Sequence, residues 1–254
     1  MTFDHSPRPG AAPLPRRIAA QVAAEVRAAL GNSEQLLLQL LIPILVLLLF
    51  TWAPILNLGP GPRIAFVAPG VLALAVLSNA FTGQAITTGF ERRYGVLKLL
   101  GATPLGRIGL LLGKTIAVLL IEVLQLAILA AISLALGWRP GGGWAAALPL
   151  LLLGTAAFSG LGLLLAGTLR AEATLGAANL VYLLLLIVGG VAFPIRVFPP
   201  WAVGILKLLP IDALTDGVRQ GVAQPSTAPL GDVLVLAAWT VLGIGLAAVT
   251  FRWE

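Results

Sequence analysis

The sequence predicts an all-α, polytopic membrane protein: six transmembrane helices, an N-terminal interfacial helix before the first, and an extracellular re-entrant helical hairpin before the last. Three observations carry this. Of the 254 residues, 59% are hydrophobic and 10% are charged, whereas a soluble domain carries about 25% charged residues. The apolar residues fall in runs of about 20, the length that crosses roughly 30 Å of hydrocarbon at 1.5 Å rise per residue. Lys and Arg flank these runs and are nearly absent from their centres, as expected of residues that set topology.

Residues 1–15 are rich in Pro and Ala without apolar periodicity and are expected to form a disordered tail. Its His5 is the only imidazole in the chain, and in such a tail it is a solvated side chain. Over residues 16–30, Ile18, Val22, Val26 and Leu30 recur every fourth position while Arg17, Gln21, Glu25 and Arg27 fall elsewhere. That pattern predicts an amphipathic helix in the membrane interface. Glu25 and Arg27 interrupt what would have to be the apolar core of a signal peptide, which excludes that reading.

The first span is expected over residues 36–58, with Pro43 and Pro54 tolerated because neighbouring helices satisfy the freed carbonyls. The second is expected over 64–88, the third over 108–136, the fourth over 144–169, the fifth over 175–190 and the last over 233–251. Between the fifth and sixth, Gly189, Gly190, Pro194, Pro199, Pro200 and Pro210 break the apolar sequence too often for a spanning helix. Two short helices, over 201–209 and 211–222, are expected to fold back into the outer leaflet, giving a hairpin over 191–222 whose backbone protein or water must cover.

Six spans put both termini on one side. That side then holds Arg8, Arg16, Arg17, Arg27, Arg92, Arg93, Lys98, Arg107, Lys114, Arg170 and Arg252, against Arg63, Arg139, Arg196, Lys207 and Arg219 opposite. The imbalance places the termini and the loop after span two in the cytoplasm. The formal charge of +6 therefore serves topology and anionic lipid, not nucleic acid.

Enzyme chemistry finds no footing. The chain has no Cys, hence no disulfide or thiolate metal site; it has no nucleophile elbow, no metalloprotease helix pair and no His in a span to act as base. We therefore assign no catalytic or metal site. Gly109 to Thr115 imitates a phosphate-binding loop but is one residue short between the glycines and follows no strand. Its Lys114 is expected to snorkel to the headgroups. Asp212 is expected to cap the helix after Pro210 and Asp216 to pair with Arg219 three residues on.

The segment after span two is more informative. Phe90, Tyr94 and Leu97 share one helical face, and Glu91, Arg92, Arg93 and Lys98 supply mixed charge around Gly95. By spacing alone this is either a short helix that fills a groove on a partner or a basic loop that fixes topology. The stretch from Glu91 to Pro104 resembles the signature of type-2 ABC exporter permeases: an acidic residue, a basic pair, a Gly and a leucine-rich turn before a small residue and Pro. A second resemblance lies in Gly189-Gly190, Phe193-Pro194, Pro200-Trp201, Leu209-Pro210 and Asp216 to Arg219. Residues 95–97 depart from the commoner Gly-Thr-Leu form.

The resemblance implies a transmembrane domain over 16–254 whose segment 90–104 is a coupling helix docking on a separate ABC ATPase. It further implies two permeases and two ATPases in the inner (plasma) membrane, with ATP and Mg held by the ATPase and no cofactor on this chain. The expected activity is export of a hydrophobic drug-like or lipid substrate. A secondary transporter or channel, and after it a membrane-embedded transferase, are the alternatives. The first would want several intramembrane carboxylates or inverted repeats of broken helices, and Glu122 alone lies deep in a span. Gln39, Thr51, Asn79, Thr82, Gln84, Asn179 and Tyr182 are candidate liners of the substrate pathway, or equally interhelical hydrogen-bonding groups. Glu122 and Gln125, three residues apart on one face, are candidates for a polar relay or a structural hydrogen bond.

Overall fold

In the computed structural model, residues 10–53, 61–191, 193–223 and 229–250 are described. Residues 1–9 of the tail expected over 1–15, with His5, the end of the expected first span with Pro54, and the closing Arg252 lie outside these residues; Leu14 and Pro15 of that tail already belong to the first helix. Every regular element among the described residues is helical. An 18-residue helix, α1 (Leu14–Gly31), is followed by α2 (Ser33–Trp52), which keeps Pro43 inside it. Next, α3 (Arg63–Val76), a π-helical segment (Leu77–Gly83) and α4 (Gln84–Arg93) run on as one 31-residue rod. A short α5 (Val96–Gly101) precedes α6 (Gly106–Ala135), α7 (Trp144–Thr168) and α8 (Ala171–Val188). The sequence then breaks into a 3₁₀ turn (Ile195–Val197), α9 (Pro200–Leu206) and α10 (Pro210–Ala223) before α11 (Leu230–Thr250).

Among the described residues, five helices are long and apolar enough to cross a bilayer: Arg63–Arg93, Ile108–Ala135, Trp144–Thr168, Ala171–Val188 and Leu230–Thr250. The chain is thus a multi-pass membrane protein by the length and composition of its helices. In α2 the apolar stretch is shorter, Gln39–Trp52. The spans divide by environment. The rod of α3 and α4 is the core, with Val71 to Leu77 all buried, while α6, α8 and α11 leave Leu120, Val123, Leu180, Leu183, Val241 and Val249 exposed. An apolar exterior is costly in water and matched by lipid tails.

In lipid, helix association depends on close packing more than on the hydrophobic effect. On α7, small residues supply it. A Cβ on Gly160 would lie 2.6 Å from the Ile244 backbone nitrogen of α11, and one on Gly162 would lie 2.8 Å from the Phe81 carbonyl of the π segment. α7 therefore touches backbone on two sides. Its third neighbour is α10, through Leu214.

The two ends of the bundle are built differently. At one end, α10 is clamped in place: Arg219 stacks 4.0 Å over the Phe66 ring and donates to the carbonyls of Gly190 (3.1 Å) and Phe66 (3.4 Å). Asp216 accepts from Gln220 at 2.8 Å, so the expected Asp216 to Arg219 pair gives way to a guanidinium that ties α10 to α3 and to the end of α8. Both carbonyls are met by one guanidinium nitrogen, Nη2, of the half-buried Arg219. Gly141 donates to Val222 at 2.9 Å, and Trp138 packs edge-on to Trp144 beside it. Arg63 donates to the carbonyls of Phe50 and Ala53.

Candidate functional site

At the opposite end, α4 stops at Arg93 and the chain turns through Tyr94 and Gly95. Gly95 takes φ +77°, a left-handed conformation that costs a Cβ-bearing residue about 1–2 kcal/mol. The turn corrects the expectation of one continuous aromatic face. Phe90 and Tyr94 stack with centroids 6.2 Å apart, but beyond Gly95 the helix restarts on a new axis. Leu97 is then fully buried against Leu105 and Leu110. Tyr94 and Leu99 instead point outward, each 73% exposed.

Behind this turn lies an ion cluster that sequence reading did not foresee. Lys114, expected to snorkel, is 3% exposed and held between Glu25 of α1 (2.7 Å) and Glu91 of α4 (2.6 Å). The reason is local. α1 packs along the start of α6 with Gln21 buried against Gly113, where a Cβ would sit 2.8 Å from the Gln21 side chain. The polar face of α1 therefore turns toward Lys114, and Gln21 donates to Glu25 at 2.7 Å. Three groups that each interrupt an apolar pattern meet, and the pairing offsets the cost of burying Lys114. The signal was present as those three interruptions, but their helices are far apart in sequence.

The same end is tied to the following spans. Arg92 donates to the Leu169 carbonyl, and Arg93 pairs with Glu172 at the start of α8. Arg17 of α1 donates to the Pro104 carbonyl beyond α5. Lys98 also has an interaction partner. The segment over 90–104 is thus fixed to α1, α6 and α8, so displacement of its outer face would be carried into three helices.

Above it opens a groove of about 680 Å³ between α2, the π segment, α4 and α8, within the range of pockets that hold drug-sized molecules. Four of the expected pathway residues line it: Gln39, Thr82, Asn179 and Tyr182. Asn79 and Gln84 line a smaller adjoining cavity of about 250 Å³, again with Gln39 and with Glu91 and Lys114. Thr51, toward the other end of α2, borders neither. The π segment explains the gathering, because one extra residue per turn shifts the helical face and brings Thr82 and Gly83 to the groove while Asn79 turns to α6. Such segments concentrate at functional sites. Its sequence, residues 77–83, carries no Pro, and Gly83 at its end lies within an otherwise continuous apolar helical run.

Glu122 and Gln125 do not bond to one another as a pair on one face would suggest. Glu122 meets Thr155 of α7 at 2.5 Å. Gln125 instead accepts from Asn79 at 2.9 Å and donates to the Gln39 carbonyl at 2.6 Å. Each therefore bridges α6 to different helices. The stretch from Gly109 to Thr115, which imitates a phosphate loop, lies within the continuous helix α6.

Compared with protein families, the chain matches the model described as ABC-2 type transporter over residues 16–222. No curated protein matches its sequence. The match takes in nearly all of α1, the turn at Gly95, the groove and nearly all of the clamped α10, and on that span the chain belongs to the ABC-2 type transporter family.

Proposed function

We propose that this chain is the permease of an ATP-driven exporter. It works with separate ABC ATPase subunits and a second permease, identical or homologous, in the inner membrane with both termini cytoplasmic. In this reading α2 is a sixth span, ATP and Mg belong to the ATPase, and the substrate is a hydrophobic drug-like or lipid molecule received in the groove beside the π segment.

The observation that carries the proposal is the outward face of the turn at Gly95. Tyr94 and Leu99 are each 73% exposed beyond the end of a spanning helix, on a segment whose inner side is anchored by Leu97 and by the Glu25, Lys114 and Glu91 cluster. Exposed apolar anchors on a rigid base suit a groove on a partner. With the anchors on the ATPase, closure of the ATPases would pull on α4 and, through it, on the π segment and the groove wall. Co-purification tests this. Tyr94→Ala and Leu99→Ala are expected to leave the permease inserted but to weaken capture of its co-expressed ATPase about tenfold or more, as loss of an interface anchor does. Undiminished capture and undiminished transport in both variants would remove the coupling assignment.

A further inference from the structure

The charge inside the groove is opposite to that of the molecule. The chain carries a net +6, yet among the residues lining the 680 Å³ groove the charged ones are Glu34 and Glu91, with no Lys or Arg. Three aromatic rings, Phe90, Tyr94 and Tyr182, line it with them. The adjoining cavity shares Asn32, Gln39, Gly83, Thr87 and Glu91 with the groove. There Lys114 is already matched by two carboxylates, which leaves the cluster acidic. Two buried polar atoms of that cavity's lining, Thr88 Oγ1 and Gln84 Nε2, have no hydrogen-bond partner, on residues 1% and 5% exposed. Buried polar atoms left without partners are costly, and these two belong to residues of the cavity wall.

We propose that the groove is a binding site for lipophilic cations, a narrowing of substrate class that rests on the permease reading above. Carboxylates attract the charge, aromatic faces bind it by their quadrupoles, and the surrounding apolar wall takes the body of the molecule. A third cavity, of about 240 Å³ between α1, α2 and α6, shares Leu36, Gln39 and Ile121 with the second. Its wall includes Leu30, Leu120 and Leu124, all exposed on the bundle's outer face. This provides an apolar entry from the bilayer to the acidic groove. An anionic lipid headgroup would meet Glu34 and the net negative charge of the Glu25, Lys114 and Glu91 cluster, so the site discriminates against it.

Two ions of nearly the same shape and opposite charge test this, tetraphenylphosphonium and tetraphenylborate. The purified full chain in nanodiscs of zwitterionic lipid is dialysed against each, and uptake by empty nanodiscs is subtracted. Saturable binding of the phosphonium, with no saturable binding of the borate, is the expected result. Glu34→Gln, on the exposed rim, and Tyr182→Leu should each weaken phosphonium binding about fivefold to tenfold, the size of a 1.0–1.4 kcal/mol loss. Glu91→Gln should do so more strongly. Absence of saturable phosphonium binding, as when a second copy seals the groove, overturns the proposal. So does saturable borate binding of equal strength, or phosphonium binding indifferent to both Glu34→Gln and Tyr182→Leu in variants that elute as the parent does. The measurement needs no ATPase, so it fails separately from the permease reading: phosphonium binding in a parent chain that captures no co-expressed ABC ATPase removes the exporter, and ATPase capture by a chain that binds no phosphonium removes only the substrate class.

Discussion

Thr155 has one hydroxyl proton and two acceptors in reach, Glu122 Oε1 at 2.5 Å and the Leu151 carbonyl at 2.9 Å. If Glu122 donates a carboxyl proton to Thr155, the hydroxyl proton is free for Leu151 and both contacts are satisfied. An ionised carboxylate there would leave Oε2, which is buried without a partner, to carry charge in the interior, and charge at a span centre costs about 2.5–3.5 kcal/mol or more. Hydrogen counting therefore favours a neutral acid bridging α6 and α7. Glu122→Gln can make the same donation through its amide and should preserve the fold. Glu122→Ala loses the bridge, and thermal unfolding in detergent should fall by about 2–4 °C per kcal/mol for a domain of this size. Equal melting of the two variants would show that the contact carries no weight. The sequence exposes Glu122 as unusual because it is a carboxylate in an apolar run, but its partner lies 33 residues away on another helix. Lys114 failed for the same reason. A Lys near a helix end in an apolar run has snorkelling as its local solution, and only the approach of α1 and α4 makes burial the better one.

Helix existence was legible, and helix detail was not. The five long apolar helices fall within a few residues of their expected bounds, because apolar length is a local property. The π segment and the break at Gly95 depend on what packs against the rod, so the expected shared face of Phe90, Tyr94 and Leu97 dissolved. α10 shows a related case. The breakers around it announced short helices, yet its fixing by Arg219 onto Phe66 and Gly190 required the fold. Asp212, in its first turn, stands against Gly190, where a Cβ would lie 3.0 Å from its carboxylate. Burial foremost, with Asp216 and Asp232 adding repulsion against the opposing pull of Arg219 and Lys207, pushes the Asp212 carboxyl up to about 6. Burial also lowers the Arg219 guanidinium to about 10, still cationic at neutral pH. An acid raised in the folded state binds its proton more tightly there than when unfolded. Its contribution to stability is then fully present below the ordinary Asp value of 3.8 and lost as pH rises through about 6. Melting in detergent should therefore decline between about pH 4 and 6.5 through this residue, and Asp212→Asn should flatten that slope and melt higher than the parent at pH 7. A slope unchanged in Asp212→Asn would assign it to other groups.

At the scale of the molecule, the antiparallel course of the rod, α6, α7, α8 and α11 sorts the basic residues between two ends. Arg93, paired with Glu172, and Lys98 gather where the Gly95 turn lies. Arg63, Arg139 and Arg219 gather where α10 is clamped by Phe66 and by the Gly141 contact. The proposed orientation puts the end with the turn in the cytoplasm: that end also carries Arg16, Arg17, Arg27, Arg92 and Arg170, and short loops rich in Lys and Arg are retained inside. The proposed coupling requires the same orientation independently, since ATP and its hydrolysing subunits are cytoplasmic. The chain contains no Cys, so single Cys replacements report position without a background. In intact cells an impermeant maleimide should label Arg139→Cys and leave Lys98→Cys unlabelled until the membrane is opened. A Cys at Asn32, between α1 and α2, should behave like position 98 if α1 lies on the cytoplasmic face. Labelling of position 98 from outside would invert the molecule and remove the coupling segment, whereas labelling at 32 alone would limit the error to the first span.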